Sequence, residues 1–144
     1  MLRVVLDTNV LVSALINPHG KPAQIMDGVL AGRIRLFVSP SIVTELERVL
    51  GYPKLMKRHG LEGDELKQFV LDLLSVMILV SAEETIELIA DDPSDNKYLS
   101  CALAARADFI VSGDVHLLKL GEHRGIRVVS AAQFIDIMEV EERT

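Results

Sequence analysis

The stretch LRVVLDTNVLVSALI, residues 2–16, contains an apolar run, an acidic turn and a second apolar segment, in that order. The short run Leu2–Leu6 is apolar except for Arg3 and suits a strand that is covered on both faces. Residues 9–16 have the apolar content of a helix, which the segment NPHG, residues 17–20, then interrupts. Asp7 lies between the two elements. A strand followed at once by a helix is typical of an α/β unit.

The rest of the chain repeats this alternation. Further strands are predicted at 34–38, 78–81, 109–111 and 127–129. Helices are predicted at 22–31, 40–50, 66–74, 84–90 and 93–106, with a short helix from Asp114 and a final one from Ala131. This order predicts one α/β domain over residues 1–144, with a mostly parallel sheet and right-handed crossovers. The terminal residues 139–144 are expected to fray or to face a partner.

Composition limits the class of protein and its environment. The chain has 144 residues, of which 49% are hydrophobic and 4% aromatic, so a core of Val, Ile, Leu and Ala is expected. Cys101 is the only cysteine, which excludes an internal disulfide and is compatible with a reducing cytoplasm. No apolar stretch approaches the roughly 20 residues of a membrane span. Asp7 and Asn9 interrupt the N-terminal segment, which we interpret as mature structure and not as a signal peptide.

The net charge of −6 argues against strong nonspecific attraction to polyanions. Affinity for nucleic acid comes largely from Lys and Arg side chains that neutralise phosphates. The count includes acids that could bind divalent cations, however, and bound cations would reduce the negative charge where a phosphate polymer approaches. Composition therefore weakens a nucleic-acid hypothesis without excluding it.

Four carboxylates lie at or just past the ends of apolar runs: Asp7, Glu45, Asp95 and Asp114. In an open parallel sheet, ligands bind beyond the carboxyl ends of the strands, and the helices that return to the sheet begin at that same end. We therefore expect the four acids to converge there. Hard oxygen ligands without a cysteine or histidine cluster favour Mg²⁺ or Mn²⁺ over zinc. The pattern indicates metal-assisted phosphate chemistry.

Each acid also has an ordinary structural explanation. Asp7 and Asp114 could cap the helices that follow them. Asp92 could be the N-cap of the helix over 93–106, in which case Asp95 would lie in its first turn, where the helix dipole favours an acid. Glu45 lies past the first turn of its helix, beside an apolar stripe, and could belong to a solvated face. The combination is more informative than any single member.

Several segments resemble the PIN-domain ribonucleases. These are LDTNVLVSAL at residues 6–15, Glu45 in the third helix, DPSDNKYLSCALAARADFIVSGD at residues 92–114, and the HLL that follows. The chain is most similar to the PIN toxins of bacterial and archaeal toxin–antitoxin pairs. The resemblance extends over residues 2–134.

The resemblance implies a three-layer α/β/α sandwich around a five-stranded parallel sheet. It maps the acidic quartet of the family onto Asp7, Glu45, Asp95 and Asp114, which would bind one or two Mg²⁺ or Mn²⁺ ions. Asn9 and Ser112 match polar positions near the metal in the family, and Thr8 would help to order Asp7. For Thr8, a role in satisfying backbone groups at the strand-to-helix turn is equally open. The implied activity is hydrolysis of single-stranded RNA to leave a 5′-phosphate and a 3′-hydroxyl. A homodimer and a protein antitoxin are the implied partners.

Basic residues suggest where RNA could bind. The residues considered for this role are Lys54, Lys57, Arg58, Lys97 and His116, although a solvated helix face is the default interpretation for most of them. The other histidines, His19, His59 and His123, show no helical pairing and are assigned to the surface.

Two other functions remain open from the sequence. A phosphatase of the haloacid-dehalogenase type also uses an Asp after its first strand with Mg²⁺. That family has a second Asp two residues later, where this chain has Asn9. In a noncatalytic binding module the acids would only cap helices, and Mn²⁺ would not bind.

Overall fold

A computed structural model describes residues 1–81 and 95–143 of the chain. Its strands are β1 (Leu2–Leu6), β2 (Ile34–Val38), β3 (Ile78–Leu79), β4 (Phe109–Val111), β5 (Glu122–His123) and β6 (Ile126–Val129). Its helices are α1 (Thr8–Ile16), α2 (Lys21–Leu30), α3 (Pro40–Leu50), α4 (Pro53–His59), α5 (Gly63–Leu74), α6 (Asn96–Ala105), α7 (Val115–Leu120) and α8 (Ala131–Glu142). The predicted α/β class is confirmed.

The strands form a single sheet in the order β3-β2-β1-β4-β6-β5. All neighbouring strands are parallel except β5, which pairs antiparallel with β6. The predicted five parallel strands are therefore present, and the two-residue strand β5 is an addition at one edge. From β1 the chain proceeds to β2 on one side, whereas β4 lies on the other side. The gap between the ends of β1 and β4 is thus the switch point at which α/β sheets bind ligands.

Burial shows that the sheet is covered on both faces. Successive side chains of a strand point to opposite faces, yet Val4, Val5 and Leu6 of β1 are all buried, as are all three residues of β4. Helix α6 packs against β1, β2 and β4, while α2 packs against β2, α1 and α8. This is the three-layer arrangement that was expected. Among the described helices, none is both long and apolar enough to cross a membrane.

The structure differs from the sequence-based expectations at α4 and at the C-terminus. No element was predicted between residues 50 and 66, but this segment contains α4, which begins at Pro53 and ends where Gly60 adopts φ 69°. Residues 139–144 were expected to fray or to face a partner. Fraying is wrong as far as Glu142, because α8 continues to this residue and its carboxylate pairs with Arg33, whereas contact with a partner stays a prediction.

Smaller differences concern element ends. Strand β3 stops at Leu79, two residues before the predicted end. The predicted helix 84–90, the beginning of the predicted helix 93–106 and the proposed cap Asp92 lie outside the described residues.

The fold predicts that Cys101 is chemically inert. Its side chain is fully buried in α6, and this burial raises the pKa of the thiol to about 12, so the protonated form dominates at ordinary pH. We expect negligible reaction with Ellman's reagent at pH 8 in the native protein and one equivalent of thiol after unfolding in guanidinium. Free cysteine under the same conditions is the control. Rapid reaction of the native protein would contradict the packing of α6 against the sheet.

Candidate active site

Asp7 stands at the end of β1 and is 4% exposed. Its backbone N–H donates to the carbonyl of Val111 at 3.1 Å, which extends the β1–β4 pairing by one residue. Its Oδ1 accepts a hydrogen bond from the backbone N–H of Val10 at 2.8 Å, so Asp7 is the N-cap of α1. The predicted capping role is therefore real, and it fixes the direction of the carboxylate.

Ser112 connects the acids that follow β1 and β4. Its hydroxyl donates to Oδ2 of Asp7 and accepts the backbone N–H of Asp114 at 2.9 Å. Asp114 in turn is the N-cap of α7, because its Oδ1 accepts the backbone N–H groups of His116 and Leu117 at 2.7 and 3.3 Å. Ser112 itself is fully buried, so it positions these two acids from beneath the surface of the site.

Glu45 lies in the second turn of α3 and is held by three donors. Its Oε2 lies 3.1 Å from the Thr8 hydroxyl, 2.8 Å from the Tyr98 hydroxyl and 2.9 Å from Nζ of Lys97. The Tyr98 hydroxyl also accepts the backbone N–H of Thr8 at 3.1 Å. The side chain of Glu45 is 21% exposed, so the alternative of a freely solvated helix face is wrong.

All four predicted acids line one small pocket. Its volume is about 130 Å³, and its lining consists of Asp7, Thr8, Asn9, Glu45, Asp95, Lys97, Tyr98 and Asp114. Asp95 immediately precedes α6, has a helical backbone and is 6% exposed. Residues distant in the chain thus meet at the carboxyl edge of the sheet, as the topology predicts.

The pocket holds two acids whose pKa values move in opposite directions. Burial raises the pKa of Asp7, and the negative charge of Asp114 raises it further, although hydrogen bonds from Ser112 and Val10 oppose this. Burial alone would also raise the pKa of Glu45. Hydrogen bonds from Lys97 and Tyr98 and the positive charge of Lys97 outweigh burial and lower the Glu45 pKa.

The donor set of the pocket suits a hard divalent cation. Its acidic lining is carboxylate oxygen, the donor that Mg²⁺ and Mn²⁺ prefer. Within residues 1–81 and 95–143, however, no three His, Cys, Asp or Glu side chains are grouped closely enough to hold an ion as they stand.

The other predicted residues occupy different positions relative to the pocket. Asn9 lines it from an exposed position. The α4 basic residues Lys54, Lys57 and Arg58 are exposed and do not line it.

The histidines divide into two pairs. His19 and His116 are exposed, as expected, but His59 and His123 are half-buried. Nε2 of His59 lies 2.8 Å from the Leu50 carbonyl, and its Nδ1 accepts the backbone N–H of Leu61. Within the described part of the chain, His59 thus has a structural role at the end of α4.

Sequence reasoning missed Tyr98 and Arg48. Tyr98 is 5% exposed and bonds both Thr8 and Glu45, whereas the sequence shows it only as one of two tyrosines, in an apolar helix. Arg48 lies one turn after Glu45, and its Nη2 is 3.6 Å from Oε1 of that residue. The i,i+3 spacing of Glu45 and Arg48 on one helix indicates from the sequence that their side chains can pair. No such spacing relates Tyr98 to Glu45, which only the fold brings together.

A larger groove lies away from this chemistry. It has a volume of about 520 Å³ and runs between Glu47 of α3 and the apolar face of α5, where Leu66, Val70 and Leu74 line it. None of the four predicted acids contributes to it, so the small polar pocket is the better candidate for catalysis.

The fold and the pocket define an α/β domain with an acidic site at its switch point, and comparison with known proteins identifies the class. A family profile described as PIN domain matches residues 3–116, and the chain belongs to this family, whose members are generally nucleases. An uncharacterized protein of Methanocaldococcus jannaschii is 37% identical over 119 residues, which cover 83% of this chain and 75% of that protein.

A solved structure has the same fold. The chain is similar to a protein in the crystal structure of VapBC2 from Rickettsia felis bound to a DNA fragment from its promoter. The TM-score is 0.58 at 18% identity, and the match covers 88% of this chain and 97% of the other.

The contacts of Tyr98 predict that its hydroxyl stabilises the fold. Tyr98→Phe removes a buried group that bonds the Thr8 backbone and Glu45, so we expect a loss of about 1–3 kcal/mol in the free energy of unfolding. Urea denaturation measures this loss. The matched control is Tyr52→Phe, at a residue that is 46% exposed, for which we expect a change below about 0.5 kcal/mol. Equal effects of the two substitutions would contradict the assigned network.

Proposed function

We propose that this protein is a Mg²⁺- or Mn²⁺-dependent endoribonuclease that hydrolyses single-stranded RNA. The observation that carries the proposal is the meeting of four carboxylates, from four separate segments of a PIN-domain chain, in one pocket at the switch point of the sheet. No structural need of the fold requires four acids to share a pocket, because like charges that approach one another raise the free energy of the folded state.

Asp7, Glu45, Asp95 and Asp114 are the residues that would hold the metal. A bound divalent ion would supply water activation near neutral pH and would offset negative charge at the reacting phosphate. The chain contributes the positioning. Ser112 holds Asp7 and the backbone of Asp114, and the Thr8 hydroxyl lies at hydrogen-bonding distance from Glu45. Asn9, exposed at the pocket wall, is placed to contact the substrate.

The RNA backbone would approach from the side on which cations border the pocket. Lys97 lines the pocket, and Arg48 lies beside Glu45 with a side chain that is 64% exposed. The exposed residues Lys54, Lys57, Arg58 and His116 are further candidates for phosphate contact. The net charge of −6 makes such local positive groups important, because the chain as a whole repels a polyanion.

A protein antitoxin is the proposed regulator, and a homodimer in the cytoplasm is the proposed form. The support for the antitoxin is the likeness to a VapBC2 structure from Rickettsia felis, which the alignment covers almost completely. On this proposal the protein is the toxin of a toxin–antitoxin pair.

Two alternatives receive less support. Asn9 stands where a haloacid-dehalogenase phosphatase would have its second Asp, and the family match is to the PIN domain. A noncatalytic module is consistent with the caps that Asp7 and Asp114 form, but helix capping does not explain why Glu45 and Asp95 join them in the same pocket.

The central test compares cleavage by the wild type and by Asp7→Asn. Unstructured and structured RNAs of equal length are incubated with Mn²⁺ or with EDTA. We expect the wild type to cleave the unstructured RNA with Mn²⁺ only, and Asp7→Asn to lose at least about 100-fold in rate because a metal-binding charge is gone. The matched control, Asp136→Asn, makes the same change at an exposed position on α8 and should cleave normally. Equal activity under all conditions would reject the function.

The chemistry of the products is a separate prediction. Direct attack of water on the phosphate leaves a 5′-phosphate and a 3′-hydroxyl, so the fragments should accept a ligase without prior treatment. Mass spectrometry of a short RNA cut by the wild type measures the ends. Fragments that end in a 2′,3′-cyclic phosphate would show that the ribose 2′-hydroxyl is the nucleophile, and would contradict the proposed mechanism.

A further inference from the structure

Lys97 places a cation inside the acidic pocket. Its side chain is only 19% exposed, and Nζ lies 2.9 Å from Oε2 of Glu45 and 5.0 Å from the centre of the Tyr98 ring. Lys97 is also part of the lining that the four acids share. An ammonium group in this position neutralises part of the negative charge that a metal ion would otherwise neutralise.

The Oε2 atom of Glu45 has little capacity left for a metal. A carboxylate oxygen offers about two lone-pair directions, and three donor groups lie within hydrogen-bonding distance of this atom. The Tyr98 hydroxyl has a single proton, which Glu45 and the Thr8 hydroxyl oxygen both approach at 2.8 Å. Even if that proton goes to Thr8, the hydroxyl of Thr8 and the ammonium group of Lys97 still occupy Oε2.

The donors of this oxygen differ in how readily they can leave. Thr8 and Tyr98 are 3% and 5% exposed and are bonded to each other, so their positions are fixed by the core. Lys97 reaches Glu45 through a flexible four-carbon stem and carries the like charge that a divalent cation repels. Among the three donors, Lys97 is therefore the one that an incoming cation would displace.

We propose that Lys97 is the resident counter-ion of the pocket and competes with the divalent metal for Glu45. This inference rests on the proposed function, in that the pocket is taken to be the metal site. Metal binding at Oε2 of Glu45 then requires the Lys97–Glu45 ion pair to open. The affinity for metal then depends on how much more strongly Glu45 interacts with the metal ion than with the Lys97 ammonium group. It is lower than the affinity that the four carboxylates alone would give.

The test measures Mn²⁺ binding without RNA. Free Mn²⁺ is followed by electron paramagnetic resonance as the ion is titrated into the wild type and into Lys97→Met, which keeps the stem and removes the charge. We expect Lys97→Met to bind Mn²⁺ about tenfold more tightly, because a positive charge close to the site has been removed. Lys97→Arg, which keeps the charge, should bind within about twofold of the wild type.

A matched control separates this local effect from a change in net charge. Lys67→Met makes the same substitution at an exposed residue that lines the α3–α5 groove and not the acidic pocket, so it should leave the affinity for Mn²⁺ unchanged. A second measurement uses Tb³⁺ luminescence. The chain has no tryptophan and only two tyrosines, so in a Tyr52→Phe background Tyr98 is the only tyrosine that can transfer excitation to Tb³⁺. Tb³⁺ bound in the acidic pocket should then luminesce, and Mn²⁺ should reduce this signal by competing for the site.

The outcomes are distinct. If Lys97→Met binds Mn²⁺ more tightly and Lys97→Arg and Lys67→Met do not, the result supports competition between Lys97 and the metal, whatever the effect on RNA cleavage. Unchanged or weaker binding by a Lys97→Met protein that unfolds at the wild-type temperature overturns it, as does the absence of Mn²⁺ binding by both proteins. Failure of the proposed function appears elsewhere, as wild-type protein that binds Mn²⁺ but cleaves no RNA.

Discussion

The hydrogen bond that Ser112 donates to Asp7 joins the ends of the two central strands, and the site depends on it. Asp7 extends the pairing of β1 with β4 through its backbone, and Ser112 in turn donates its backbone N–H to Val129 of β6. The register of three parallel strands therefore determines where both residues lie. A slip of one residue would turn Asp7 to the opposite face of the sheet. Precise placement of the acids is thus a consequence of strand pairing in a well-packed aliphatic core.

Charge in the pocket is distributed unevenly, and the unevenness has a structural cause. Glu45 is surrounded by Lys97, Tyr98 and Thr8, which stabilise its ionised form, while Asp7 is deeper and faces the negative charge of Asp114. Neighbouring acids whose pKa values are shifted in opposite directions are typical of catalytic sites. A divalent ion beside Asp7 would stabilise the ionised form that burial and the charge of Asp114 disfavour, whereas beside Glu45 it would meet the ammonium group of Lys97.

The sequence predicts the sheet and the positions of Asp7 and Asp114 because both acids directly follow apolar strands. It does not predict how Glu45 is held, because one of its partners is Tyr98. In the sequence, Tyr98 looks like an ordinary residue of an apolar helix, and only the packing of α6 against the sheet brings its hydroxyl to Glu45. The sequence predicts Lys97 as a possible RNA contact and does not show its ion pair with Glu45, because only the fold brings these two residues together. Strand β5 was missed because Glu122 and His123 form only two residues of strand, too few to carry an apolar alternation. By contrast, the proline and glycine that bound α4 are visible in the sequence, but its seven residues are too short to show a helical period.

Helix capping and metal binding are compatible roles for Asp7 and Asp114. In both residues the cap uses Oδ1, which accepts backbone N–H groups of the following helix. A carboxylate has two oxygens, so the cap consumes only part of its capacity and at the same time immobilises the group. An acid that must face a cation without moving benefits from such a fixed anchor. In this fold the helices that begin after β1 and β4 supply that anchor, which is why these two strand-to-helix turns are suitable places for acids of a metal site.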